Sequence, residues 1–168
     1  MVLPEIKKIP AIHLVGNKVP MSFSNNRTFE LWSNFMPRRK EITNTIGTDL
    51  YCIQEYQPNV HFSTETEFVK WAAVPVTNFD SIPSNMETIT IPEGLYAVFT
   101  YKGLPSEFAD TFKFIFFEWL PNSIYQLDHR PHFEILGAKY KNNDPSSEED
   151  IYVPIKFNEV ELVIELNY

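Results

Sequence analysis

The chain has one cysteine, Cys52, among its 168 residues. No disulfide can close within it, and no site built from several thiolates is available. Cys52 lies in an apolar, alternating stretch and reads as a small buried residue. Glycine is scarce: the five present are scattered, which leaves no glycine-rich loop to cradle a phosphate. Of the four histidines, only His129 and His132 are close together, and Pro131 between them speaks against a helix offering both to one metal. No metal or other cofactor is expected. No run of about 18 apolar residues could span a bilayer. The start, Met1-Val2-Leu3-Pro4-Glu5, lacks the charged and apolar regions of a secretory signal. The expectation is a cytoplasmic protein without a membrane segment. Basic residues are outnumbered, 14 against 22 acidic, for a net charge of −8. That balance repels a phosphate backbone, so no direct contact with nucleic acid is expected. The basic cluster Arg38-Arg39-Lys40 follows Pro37 and fits the end of a helix, where cations complement the dipole.

Rings are plentiful: 14 Phe, 8 Tyr and 3 Trp make up 15% of the chain. Large rings are mostly buried for their area, yet this many leaves some to line a pocket. The length suits one domain of ordinary size, or two small halves sharing a core.

A repeated order of short signals favours the second arrangement. Ile9-Pro10 recurs as Ile91-Pro92, Trp32 as Trp119 with a proline soon after each, and Val74-Pro75-Val76 as Val153-Pro154-Ile155. In the first half, 9–15 reads as a strand. Phe29, Trp32, Phe35 and Met36 share a helical face that Pro37 closes, and 50–56 and 67–77 read as strands. In the second half, 86–91 and 95–102 read as strands. A helix capped by Ser106 carries Phe108, Phe112, Ile115, Phe116 and Trp119 on its spacing and stops at Pro121. Segments 132–140, 150–156 and 160–166 read as strands. The fold class is therefore α+β: duplicated β-α-β-β units, an antiparallel sheet with two main helices packed on it, and a ligand cleft near the pseudo-twofold. The whole of 1–168 forms one domain, with repeats over about 4–80 and 86–168.

No enzyme fingerprint is present, and what remains is acid beside aromatic. Alternation in Phe133-Glu134-Ile135-Leu136 puts Glu134 on one face with Leu136, where burial would raise its pKa. Asp150 leads a strand and shares its face with Tyr152. Aligning the halves makes Leu50 the counterpart of Glu134 and Trp71 that of Asp150, so the acids belong to one half. Rings attract cations through their faces, at about 0.5–2 kcal/mol each, and a partly buried carboxylate adds a charge partner. The candidate ligand-binding residues are Glu134, Asp150, Trp119, Tyr96, Tyr101, Tyr152, Trp71 and Trp32; no catalytic residue can be named.

Four motifs in order, 91–99 (Ile-Pro-Glu-Gly-Leu-Tyr-Ala-Val-Phe), Glu118-Trp119-Leu120-Pro121, Pro131-His132-Phe133-Glu134 and Tyr152-Val153-Pro154-Ile155, resemble the GyrI-like small-molecule-binding family. That family includes the effector-binding domains of AraC-type and MerR-type multidrug regulators. The likeness is close over about 86–156 and looser over 4–77. It implies a duplicated fold around a ligand cleft, binding of hydrophobic and often cationic compounds, and an acid in the pocket. Glu134 matches the family's acid, and Trp119 its helix-end tryptophan. Asp150 stands where the pattern has Glu, which shortens the side chain by one methylene. Tyr101-Lys102-Gly103 replaces His-x-Gly. With no room for a helix-turn-helix before the first strand, the chain resembles the stand-alone members.

Three functions follow as expectations. The first is a small-molecule-binding module for hydrophobic or cationic compounds, linked to transcriptional regulation or drug response. The second is a hydrolase of reactive hydrophobic drugs using a pocket carboxylate. The third is an interaction module that holds a protein partner.

Overall fold

The computed structural model describes residues 3–159. Among the described residues nine strands, all paired antiparallel, form the sheet: β1 (Glu5–Ile9), β2 (Ile12–Met21), β3 (Leu50–Glu55), β4 (Phe68–Pro75), β5 (Glu87–Ile91), β6 (Gly94–Lys102), β7 (Tyr125–Leu127), β8 (His132–Leu136) and β9 (Glu148–Phe157). Their order is β1-β6-β9-β8-β3-β4-β2-β5, with β7 added along β9. The order keeps its form when the two halves of the chain are exchanged: β1 pairs β6 as β5 pairs β2, and β3 meets β8 at the centre. The α+β class and the duplicated arrangement follow from this pattern.

Only Pro10 and Ala11 separate β1 from β2, and only Pro92 and Glu93 separate β5 from β6. Two residues span at most about 11 Å. Because β1 lies at one end of the sheet and β2 next to the other, the ends must curl toward each other. Proline suits these corners, where no ladder hydrogen bond is required.

The concave face is filled. Leu14, Tyr51, Ile53, Trp71, Ala73, Ile91, Tyr96, Phe133 and Tyr152 form one buried cluster drawn from the middle and both ends of the sheet. Phe133 stacks on Tyr152 with centroids 4.4 Å apart, and Tyr96 meets Phe133 edge-on at 5.2 Å. The convex face carries the helices. Helix α1 (Thr28–Phe35) covers Val15, Ala72 and Val74 with Leu31 and Phe35. Helix α2 (Phe108–Lys113) continues into a wide π-helical stretch over Phe114–Trp119, then a 3-10 turn over Leu120–Asn122, and covers Phe99, Ile151 and Val153.

Several sequence expectations are corrected. Phe29 is 87% exposed and Met36 43% exposed. The buried stripe of α1 is Leu31 and Phe35, four apart, while Met36 already belongs to the 3-10 turn that Pro37 imposes. Ser106 caps nothing: it lies in a 3-10 turn, Pro105–Glu107, and α2 starts without a side-chain cap. The first strand is two, β1 and β2, split at Pro10, and β7 carries no sequence signal at three residues. The strand expected over 132–140 stops at Leu136. The strand expected over 160–166 lies outside the described residues. The central ladder pairs Leu50 with Leu136 and Cys52 with Glu134. The displacement that carries Ile9-Pro10 onto Ile91-Pro92 carries Cys52 onto Glu134. Cys52, rather than Leu50, is therefore the counterpart of Glu134, and the pseudo-twofold passes between them.

Candidate ligand-binding cavity

Helices α1 and α2 stand on either side of the β3–β8 seam, and a cavity of about 330 Å³ lies between them over the convex face. The volume is at the small end for drug-sized ligands. Its floor comes from alternate residues of four adjacent strands: Lys70 on β4, Cys52 and Gln54 on β3, His132, Glu134 and Leu136 on β8, and Glu149, Ile151 and Val153 on β9. Alternation fixes this choice, since the intervening residues Ile53, Phe133 and Tyr152 face the filled side.

The walls are aromatic. Phe112 on α2 and Phe116 in the π-helical stretch that continues it, four residues apart, have ring centroids 4.6 Å from each other. Tyr56 and Phe68 join from the first half at 4.9 Å, and Phe23 touches both Phe68 and Phe112. Phe62, in the connection between β3 and β4, meets Tyr56 at 5.1 Å and Phe116 at 4.6 Å, so rings from the two halves meet above the floor. Such edge-on and tilted pairs contribute about 0.5–1.5 kcal/mol each beyond their burial.

Glu134 is the polar centre. Gln54 Nε2 donates to its Oε2 at 2.8 Å. Burial raises the Glu134 pKa, and the nearby Lys70 charge and the Gln54 hydrogen bond only partly oppose that rise. The residue keeps some accessible surface because it faces the cavity. Glu149 is pushed up to about 7, first by burial and then by the like charge of Glu134, with Lys70 opposing. Burial, with Arg130 adding to it, lowers His132 to about 3, so its ring is neutral at physiological pH. Lys70 Nζ donates to Thr28 Oγ1 at 2.9 Å. Burial pushes up the Cys52 thiol, which makes it a poor nucleophile. The cavity therefore offers hydrophobic contact, ring faces and two reluctant carboxylates.

Of the eight residues singled out from the sequence, Glu134, Tyr101 and Trp32 line this cavity. The other five lie off it. Tyr96, Tyr152 and Trp71 belong to the filled concave face, where Tyr96 donates to the Pro131 carbonyl and Trp71 Nε1 to Glu55 Oε2. Asp150 is bonded by Thr100 at 3.0 Å, one residue out of phase with the floor. Trp119 packs under the end of α2 against Phe99 and Tyr125. Sequence reasoning passed over Glu149 and Lys70. Glu149 was findable, because it continues the apolar alternation Ile151, Val153 backward by two. Lys70 required knowing that β4 sits two strands from β8.

A family model described as the GyrI-like small molecule binding domain matches residues 4–156. The chain belongs to this family. It is 30% identical over 148 residues to the transcriptional regulator BrlR of Pseudomonas aeruginosa (strain PAO1), a match covering 87% of this chain and 53% of that protein. It thus spans about half the length of that curated relative. Among solved structures, the C-terminal domain of EcmrR superposes with a TM-score of 0.71 at 14% identity, covering 94% of this chain and all of that one. SAV2435, solved bound to tetraphenylphosphonium, superposes with a TM-score of 0.63 at 16% identity, covering 96% and 97%. These two likenesses establish the fold. Within the family, then, this chain is a small-molecule-binding domain related to transcriptional regulators. Among the described residues, no helix is long and apolar enough to cross a membrane.

Proposed function

We propose that the domain binds a small aromatic cation in the cavity between α1 and α2, with Glu134 as the charge partner and Glu149 as a second acid. The observation that carries this reading is Glu134 itself, a carboxyl group raised in pKa on the floor of a ring-lined hollow. A bound cation restores the charge partner that burial removes. Ring faces add attraction without demanding hydrogen bonds. Trp32 and Tyr101, from opposite halves, border the same space. The fold shared with SAV2435, solved with a lipophilic cation, supports the same ligand class. Kinship with a transcriptional regulator supports a sensing role, in which occupancy of the cavity is the signal. The test is a calorimetric titration with tetraphenylphosphonium. Glu134→Gln should weaken binding at least tenfold, about 1.4 kcal/mol, and unchanged affinity would remove Glu134 as the anchor.

A second reading rests on Glu149. A carboxyl group titrating near 7 is suited to general-base activation of water. Incubation with an electrophilic aromatic compound, followed by product analysis, separates hydrolysis from binding. Retained affinity with no product leaves the binding reading alone.

A further inference from the structure

The cavity is not uniformly acidic. Lys70 stands in the rung Lys70–Gln54–His132 of the floor, Glu134 in the next, Cys52–Glu134–Ile151, and Glu149 one residue beyond the pair Ile135–Asp150. Lys70 and Glu149 are therefore at diagonally opposite corners. Three strand steps part them, about 14 Å sideways at the usual interstrand spacing, and Glu134 lies between. The displacement that lays Val74-Pro75 on Val153-Pro154 lays Lys70 on Glu149. At equivalent positions of the two repeats, the chain carries opposite charges.

We infer that the cavity selects a bipolar ligand, with a cationic group toward Glu134 and Glu149 and an anionic or strongly accepting group at the Lys70 ammonium and the Thr28 hydroxyl. This rests on the cation-binding reading above and adds a second pole to it. Among the described residues, no carboxylate lies within 4.0 Å of Lys70 Nζ; its hydrogen bond is to Thr28 Oγ1. That hydroxyl in turn donates only to Met21 Sδ, at 3.8 Å, a weak acceptor that an oxyanion would readily replace. Lys141, the other lysine bordering the cavity, is engaged with Ser146 at the acidic end. A simple cation seated at Glu134 brings like charge toward Lys70. A carboxylate on the same molecule, facing Lys70, turns that repulsion into a charge-assisted hydrogen bond. A carboxylate standing off to one side of a cationic ring system suits the separation of Lys70 from Glu134, two strands away.

The experiment compares rhodamine 110, whose carboxylate makes it bipolar, with its methyl ester, rhodamine 123, a plain cation of nearly the same shape. Fluorescence polarisation on the full chain should show rhodamine 110 binding about tenfold tighter. Lys70→Met should weaken rhodamine 110 about tenfold relative to rhodamine 123, and Lys70→Arg should retain the preference. Thermal melts establish that each variant is folded. Three outcomes overturn the inference: no preference in the wild type, an equal response of both dyes to Lys70→Met, or failure of both dyes where tetraphenylphosphonium binds. The underlying reading falls separately, if Glu134→Gln leaves tetraphenylphosphonium affinity intact.

Discussion

The two faces of the sheet are built from the same residue types and end in opposite states. On the concave side, Tyr96, Phe133, Tyr152 and Trp71 belong to one packed cluster, to which both ends of the curled sheet contribute. On the convex side, Phe112, Phe116, Tyr56 and Phe68 are no less aromatic, yet they enclose a hollow. Curvature accounts for the difference. Bending brings the inner side chains together, while on the outer face two helices stand apart across the seam. A ring becomes core or wall according to which side of one sheet it occupies.

The largest test of that contrast is on the filled side. Phe133 is 1% exposed, and Phe133→Ala should cost about 3–5 kcal/mol in a denaturant titration. Phe112→Ala, on the hollow side, should cost about half as much or less, because the ring already faces empty space. Equal losses would mean that the hollow is closed in solution.

The second test sets stability against binding. Glu134 carries a desolvated carboxyl group, so Glu134→Gln should leave the unfolding free energy unchanged or slightly higher while cation affinity falls at least tenfold, about 1.4 kcal/mol. A large loss of stability would make Glu134 a structural residue.

The third uses pH. The folded-state pKa of Glu149, about 7, lies above its ordinary value of 4.5. The protonated carboxyl is thus favoured in the native state. Its contribution to stability is fully present below pH 4.5 and is lost as pH rises through 7. Cation binding runs the other way, since ionised Glu149 attracts the ligand. Affinity should rise severalfold between pH 6 and 8, with proton release detectable by calorimetry in buffers of different ionisation enthalpy. In Glu149→Gln both dependences should flatten.

The smallest effect is optical. Trp32 borders the cavity and Trp119 does not. Trp32→Phe should remove most ligand-dependent quenching of tryptophan emission, and Trp119→Phe should leave it nearly intact.

Much of this arrangement was readable in the residues. The strands around Cys52 and Trp71, the break between 91 and 95 and the face that Glu134 shares with Leu136 follow from alternation and proline placement alone, whereas the matching corner at Pro10 was read through as one strand. The failures have physical causes. The helical spacing around Phe29 and Met36 misled because α1 is short and its buried stripe is Leu31 with Phe35. The face read for the second helix held despite its π-helical stretch: Ile115 is buried, and Phe108, Phe116 and Trp119 pack against the same cluster. Asp150 and Tyr152 were drawn toward the site because strand register is set by a partner far along the chain, and a slip of one residue reverses every side chain. Lys70 depended on the same long-range pairing, with no local mark at all.

The proline corners also govern how the molecule can be assembled. Since β1 bonds to β6 and β5 to β2, each repeat lends its opening strand to the other. Neither repeat holds a complete set of partners by itself, so separately expressed halves should remain unfolded until mixed. The final structure must wait for contacts between residues some eighty positions apart, as between Cys52 and Glu134. Such a chain gains little from its neighbours in sequence and should fold slowly for its size, with cavity and scaffold arriving in a single cooperative step.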